Sequence, residues 1–188
     1  EASPAYIQVD GRPVVYFFDV DAFYIDWPRV LSSIPGNPHV LIRGTGGFTR
    51  TTADGGYSWI VIQEKNPFDP ELNLQDAFFQ AAKQAPQRLT VGTAFKGFND
   101  TLAAWGTNRV IDQNCGETWI QSFSEIGKFY SSSNQLPALQ IATWNDYEEG
   151  TSIESGIDNC VFLVPSQSGS TITWTVNGDE STIDHYSV

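Results

Sequence analysis

Val14-Val15-Tyr16-Phe17-Phe18 is an unbroken apolar run that ends at Asp19. A strand with one wet face alternates apolar and polar residues. A strand that is apolar at every position is buried on both faces, as in a parallel sheet covered by helices. The same kind of segment returns along the chain. Val40-Leu41-Ile42 empties into Gly44-Thr45-Gly46-Gly47, and Tyr57-Ser58-Trp59-Ile60-Val61-Ile62 follows. Leu89-Thr90-Val91-Gly92-Thr93 and Leu139-Gln140-Ile141-Ala142 are the next two. Between these segments lie helical stripes. Val30, Leu31 and Ile34 form the first, with Asp26 near its cap, Pro28 in its first turn, and a stop at Pro35-Gly36-Asn37-Pro38. A second helix is predicted from Asp69-Pro70 to about Ala85, with Leu74, Ala77, Phe78, Ala81 and Ala85 on one face and Pro86 behind it. Trp119, Ile120, Phe123, Ile126, Gly127 and Tyr130 mark a third. Repeated strand, long loop and helix predicts parallel βα units, whose active sites lie at the carboxyl ends of the strands.

The pattern changes after about Gly156. Val161-Phe162-Leu163-Val164 and Thr171-Ile172-Thr173-Trp174-Thr175-Val176 are strand-like, and Asn177-Gly178 is a turn signal. The expected architecture is α/β. Residues 1–156 read as the later part of a (β/α)8 TIM barrel, and residues 157–188 as the first strands of a β-sandwich-like domain. Five βα-type strands do not close such a barrel. The chain therefore reads as a fragment, with N- and C-terminal portions of the same protein missing. A complete small open-sheet protein is the alternative. On the fragment reading Trp174, lacking the rest of its core, is expected to be exposed.

The chain carries 22 acids against 10 bases, a net charge of −12, with its Lys and Arg scattered. A phosphate backbone would be repelled, so nucleic acid is an improbable partner, whereas a neutral glycan is compatible. No apolar run approaches the roughly 20 residues that span a bilayer. Low Lys and many Ser, Thr, Asn and aromatic residues favour a secreted or extracellular protein. Cys115 and Cys160 have no metal-ligand spacing and read as one disulfide, with two buried free thiols as the alternative. No cofactor is expected. Gly44-Thr45-Gly46-Gly47 lacks the Lys of a phosphate loop, and neither His39 nor His185 has an evident partner.

The last apolar segment runs into Thr143-Trp144-Asn145-Asp146-Tyr147-Glu148-Glu149-Gly150-Thr151-Ser152-Ile153-Glu154. Acids interleaved with aromatic and amide side chains suit sugar hydrolysis. One carboxyl protonates the leaving oxygen and the other acts as base or nucleophile. A solvated acidic loop or a calcium site is the competing reading. Asp19 and Asp21, after the first strand, are placed either to bind hydroxyls or to sit as charges at a helix N-terminus. Trp59, Phe98 and Trp105 lie at or after strand ends, where core packing is the default and a sugar platform the alternative; Trp59, in a polar loop context, is the favoured platform.

The run Trp144 to Glu154 resembles a stretch of glycoside hydrolase families 71 and 99, the fungal α-1,3-glucanases and the endo-α-mannosidases. It has the Asp-Tyr of the first (Asp146-Tyr147) and the Gly-Thr-x-Ile-Glu of the second (Gly150 to Glu154). The resemblance implies a (β/α)8 barrel acting on an α-glucan or mannan-like glycan. It implies Asp146 and Glu149 as the catalytic pair, with Glu154 supporting substrate; by residue type, Trp144 and Tyr147 would stack on sugar rings and Asn145 bond their hydroxyls. In family 99 the first acid works on the sugar's own 2-hydroxyl. Asp146 is one methylene shorter than the Glu of that family, so an inverting route through water is equally open. A non-catalytic carbohydrate-binding or structural extracellular protein with the same barrel is the second functional reading.

Overall fold

The computed structural model describes residues 3, 5–18, 25–62 and 74–187. In chain order the elements are β1 (Gln8–Val9), β2 (Arg12–Phe17), α1 (Trp27–Ser33), β3 (His39–Arg43), α2 (Gly46–Thr49), β4 (Gly55–Tyr57), α3 (Leu74–Gln84) and β5 (Leu89–Ala94). They continue with β6 (Phe98–Asn99), β7 (Val110–Ile111), α4 (Glu117–Phe129), β8 (Ala138–Ile141), β9 (Phe162–Ser168) and β10 (Thr171–Asn177). One curled sheet has the order β1-β2-β3-β4-β5-β8. Every pair from β2 to β8 is parallel, and β1 folds back antiparallel on β2. This sequential parallel order is half of a barrel wall. The described residues do not close it.

The parallel strands are apolar because both faces are covered. On β3, Val40 and Ile42 pack with Trp27 of α1 and Ala53. Leu41, between them, faces the other way and meets Val14, Tyr57 and Val91. Asp26 caps α1 by accepting a hydrogen bond from the Arg29 backbone N–H at 3.3 Å, and Pro28 sits in the first turn where its missing donor costs nothing. Outside the sheet, Phe78, Phe79 and Ala82 of α3 and the following Ala85 join Phe48, with Ile126, Phe129 and Leu136 packed against them. Phe79 is fully buried, and its truncation to Ala would cost about 3–5 kcal/mol. Gly47 of α2 lies directly on β4, where a Cβ would strike the backbone of Gly55 and Gly56.

Three expectations need correction. The third strand is Gly55–Tyr57 rather than the Tyr57–Ile62 run. The backbone leaves the sheet after Tyr57, and Ser58 to Ile62 line a cavity instead. The exposed Ala77 shows that the inner face of α3 is turned toward Gln75, Phe78 and Phe79. The stripe on α4 holds only at its end, where Ile126 and Tyr130 pack on the core; before it the buried residues are polar, with Thr118, Ser122 and Glu125 inside while Ile120 and Phe123 are exposed. The polar groups are satisfied there. Thr118 Oγ1 donates to the Asp112 carbonyl at 2.6 Å, Ser122 Oγ accepts from the Phe95 N–H at 3.3 Å, and Glu125 pairs with Lys128 at 2.7 Å. The start predicted at Asp69-Pro70 lies outside the described residues, as do Asp19 and Asp21.

After residue 156, β9 and β10 form an antiparallel hairpin of their own, apart from the parallel sheet. One hairpin is not a sandwich, so that part of the expected architecture is unsupported. Trp174 is half-buried rather than exposed, because its ring packs on Tyr186 with centroids 5.2 Å apart. The exposed apolar side chains are instead Phe162, Leu163, Val164 and Ile172.

Candidate functional site

Residues 142–156 leave β8 at the carboxyl end of the sheet and form a compact, internally bonded loop. Its base is a pair of strand-like contacts: Ile153 N–H donates to the Thr143 carbonyl at 3.0 Å and Glu154 N–H to the Trp144 carbonyl at 3.0 Å. The Thr143 and Thr151 hydroxyls bond each other at 2.7 Å across that base. Asp146 organises the turn. Its carbonyl accepts from the N–H groups of Thr151 and Ser152, both at 3.2 Å, and its Oδ1 accepts from the Glu149 N–H at 3.0 Å. Asp146 and Glu149, three positions apart, are therefore joined through side chain and backbone. At the far end, the Lys96 ammonium donates to the Gly156 carbonyl at 2.6 Å and the Ser155 hydroxyl at 3.3 Å. Burial pushes the Lys96 pKa down.

Burial, and then the neighbouring Asp146, push the Glu149 carboxyl above the ordinary glutamate range. The positive charge of Arg109 pulls against this rise, and Asp100 adds to it. Arg109 and Asp100 belong to the β6–β7 segment, residues 98–111. Asp100 is fully buried. Burial alone would raise its pKa, but hydrogen bonds from Arg109 and Thr107 hold it below the usual aspartate range. Arg109 grips it with Nε and Nη2, each 2.7 Å from Oδ2. The same segment holds the acidic loop directly, since Asn99 N–H donates to the Glu149 carbonyl at 2.7 Å.

Trp144 and Tyr147 are exposed by 63% and 61%, so their rings are offered to solvent rather than to a core. Tyr147 donates its hydroxyl to Glu154, and this bond, ahead of burial, raises the Tyr147 pKa. Glu148 accepts from the indole N–H of exposed Trp105 at 3.3 Å. Asn145 is exposed on the same loop. Trp59 is half-buried, edge-on to Phe18 and Tyr57, and lines the cavity beyond β4. Phe98 is core. His39 does have neighbours: its ring lies between Asp54, at 3.3 Å, and the Val9 carbonyl, at 3.2 Å. His185 meets Asp184 at 2.8 Å. Among the described residues no group of three His, Cys, Asp or Glu side chains is arranged to hold a metal ion.

Cys115 and Cys160 are bonded, with Cα atoms 4.9 Å apart. The bridge ties the start of α4 to the segment leaving the acidic loop. Asn99, Asp100 and Arg109 were not legible beforehand, because one Arg among scattered bases carries no pattern.

No protein-family model matches the chain, and comparison with curated proteins finds no match. Solved structures do match in fold. The GH99 endo-α-mannosidase from Bacteroides thetaiotaomicron superimposes in two structures. One has a TM-score of 0.59 at 16% identity over 89% of this chain, and the other 0.58 at 18% over 80%. A glycoside hydrolase-like protein gives 0.56 at 17% over 81%. The chain spans about half the length of these structures: 52%, 47% and 49% of each. Its mixed α/β architecture, a curled half-barrel of parallel strands with the acidic loop at their carboxyl ends, is a GH99-like fold.

Proposed function

We propose that this chain carries the catalytic loop of a glycoside hydrolase acting on an α-linked glycan. The observation that carries the reading is Glu149. Its carboxyl is held above the ordinary glutamate range by burial and by Asp146, on a loop that presents Trp144 and Tyr147 to solvent. Such a group remains protonated at a pH where an exposed acid has ionised, which is what a general acid needs. In the proposed step Glu149 gives its proton to the glycosidic oxygen as the bond to the anomeric carbon breaks. Asp146 takes a proton from the water that attacks that carbon. The Oδ1 bond to the Glu149 N–H fixes the Asp146 side chain for this task. Trp144 and Tyr147 stack on sugar rings, and Asn145 and Glu154 take the hydroxyls. Likeness to the GH99 fold supports the glycan class. Asp19 and Asp21 remain candidates for binding hydroxyls.

The Cys115–Cys160 bridge fits an oxidising, extracellular setting. No helix among the described residues is long and apolar enough to cross a membrane. Hydrolysis of α-glucan and α-mannan oligosaccharides by wild type and Glu149→Gln, with circular dichroism as the folding control, tests the proposal. The variant is expected to lose about 100-fold or more in kcat. Near-normal turnover by a folded Glu149→Gln would overturn the assignment. Glycan binding without turnover by the wild type would favour the carbohydrate-binding reading.

A further inference from the structure

The cavity beyond β4 has a volume of about 560 Å³, within the range of pockets that enclose small ligands. Its charge is opposite to that of the protein. The chain as a whole is at −12. Yet among the described residues lining this cavity the charged side chains are two guanidiniums, Arg43 and Arg109, and none is a carboxylate. We propose that the cavity is a subsite for an anionic sugar residue, one bearing a carboxylate, sulfate or phosphate group that Arg43 and Arg109 bind. The proposal rests on the glycosidase reading above and names its substrate class.

Three features make the site. Arg43 ends β3 and is exposed, and its guanidinium lies 4.0 Å over the Phe18 ring. Among the described residues no carboxylate pairs with it. Stacking fixes the plane of the fork and leaves its N–H edge for an anion. Arg109 spends its Nε and Nη2 on Asp100 Oδ2. That contact anchors the side chain and leaves the other nitrogen's donors for a ligand. Ser58 is 4% exposed and lines the cavity, and its Oγ has no hydrogen-bond partner among the described residues. Its carbonyl, by contrast, accepts from Thr93 Oγ1 at 2.5 Å and Gln140 Nε2 at 2.8 Å. Ile62 and Phe78 supply apolar wall, which strengthens charge pairing by lowering the local dielectric. Trp59 offers an aromatic edge for the ring that carries the charge. Arg109 also acts electrostatically on Glu149, so this subsite adjoins the proposed general acid.

The test is calorimetric binding of the full chain, at physiological salt, to matched α-linked oligosaccharides. One is neutral, and the others carry a uronic acid, a sulfate or a phosphate. At least one charged ligand is expected to bind about tenfold or more tighter than the neutral one, as a charge-assisted bond allows. Arg43→Gln, an exposed position whose folding is checked by circular dichroism, is expected to erase most of that preference. The three charged arms tell carboxylate from sulfate from phosphate. Equal binding of neutral and charged ligands by wild type overturns the proposal and leaves the glycosidase reading standing. So does an undiminished preference in Arg43→Gln. Absence of binding to every oligosaccharide, neutral ones included, sinks both.

Discussion

Replacing Cys115 and Cys160 together by Ser opens a crosslink between residues 45 apart in sequence. The enclosed stretch contains α4, β8 and the whole acidic loop. For a closed loop of that size the chain-entropy relation gives about 4 kcal/mol of stabilisation at 25 °C. An unfolding entropy of roughly 2.1 cal/mol/K per residue, over 188 residues, is about 0.4 kcal/mol/K, so Tm should fall by about 10 °C. Scanning calorimetry and urea titration of the double variant, beside wild type with and without reductant, measure this. Wild type in reductant should match the double variant, because the effect belongs to the crosslink and not to the serines. Amide exchange in residues 142–156 should quicken as well, since the bridge anchors the segment that leaves the loop. A Tm shift under about 3 °C would refute the entropic argument. It would mean that the unfolded chain is already confined over this stretch.

Trp144→Ala removes an exposed ring without disturbing a core; Tm should hold while KM rises about tenfold, as loss of one aromatic contact predicts. The pH–rate profile should be bell-shaped, its basic limb set by Glu149 losing its proton. Because the Glu149 pKa is raised, that limb should lie above the ordinary glutamate range. Arg109→Gln removes a charge that lowers this pKa, so the limb should move further up; a downward move would contradict the assignment. Glu125, between α3 and α4, has its pKa raised first by burial, with Asp76 adding and Lys128 opposing. The folded state then holds a proton that the unfolded state has lost. Stability should fall as pH rises from the ordinary glutamate value through the raised one. Denaturation of wild type against Glu125→Gln across that window tests this, and the pH-linked loss should be smaller in the variant.

The parallel strands were legible because burial on both faces leaves continuous apolar runs, as in Val40-Leu41-Ile42. The acidic loop was legible because its residue types are crowded into one stretch. Periodicity misled where it marked a stripe but not the stripe's neighbour. Trp119, Ile120 and Phe123 form the apolar face of α4, yet Thr118, Ser122 and Glu125 meet the sheet and α3, because hydrogen bonds and an ion pair satisfy them. A run of apolar residues likewise could not tell strand from cavity wall, as Trp59 to Ile62 show. Arg109 was invisible for a different reason. Its partner Asp100 is nine residues away across a hairpin, and its effect on Glu149 arises only when the fold brings residues 98–111 against residues 142–156.

That hairpin has a consequence for how the site could change over evolutionary time. One short element carries the N–H of Asn99 that seats the Glu149 backbone, the guanidinium that adjusts its proton affinity, and the indole that touches Glu148. The backbone of Asn99 is also pressed against Gly150, where a Cβ would come within 3.2 Å of it. Length changes between β6 and β7 would therefore not drift neutrally. Each would shift the seat of Glu149 and its proton affinity at one stroke. Residues 98–111 are thus the tuning element of the site, able to reset the proton affinity of Glu149 while the residues at 146 and 149 stay the same.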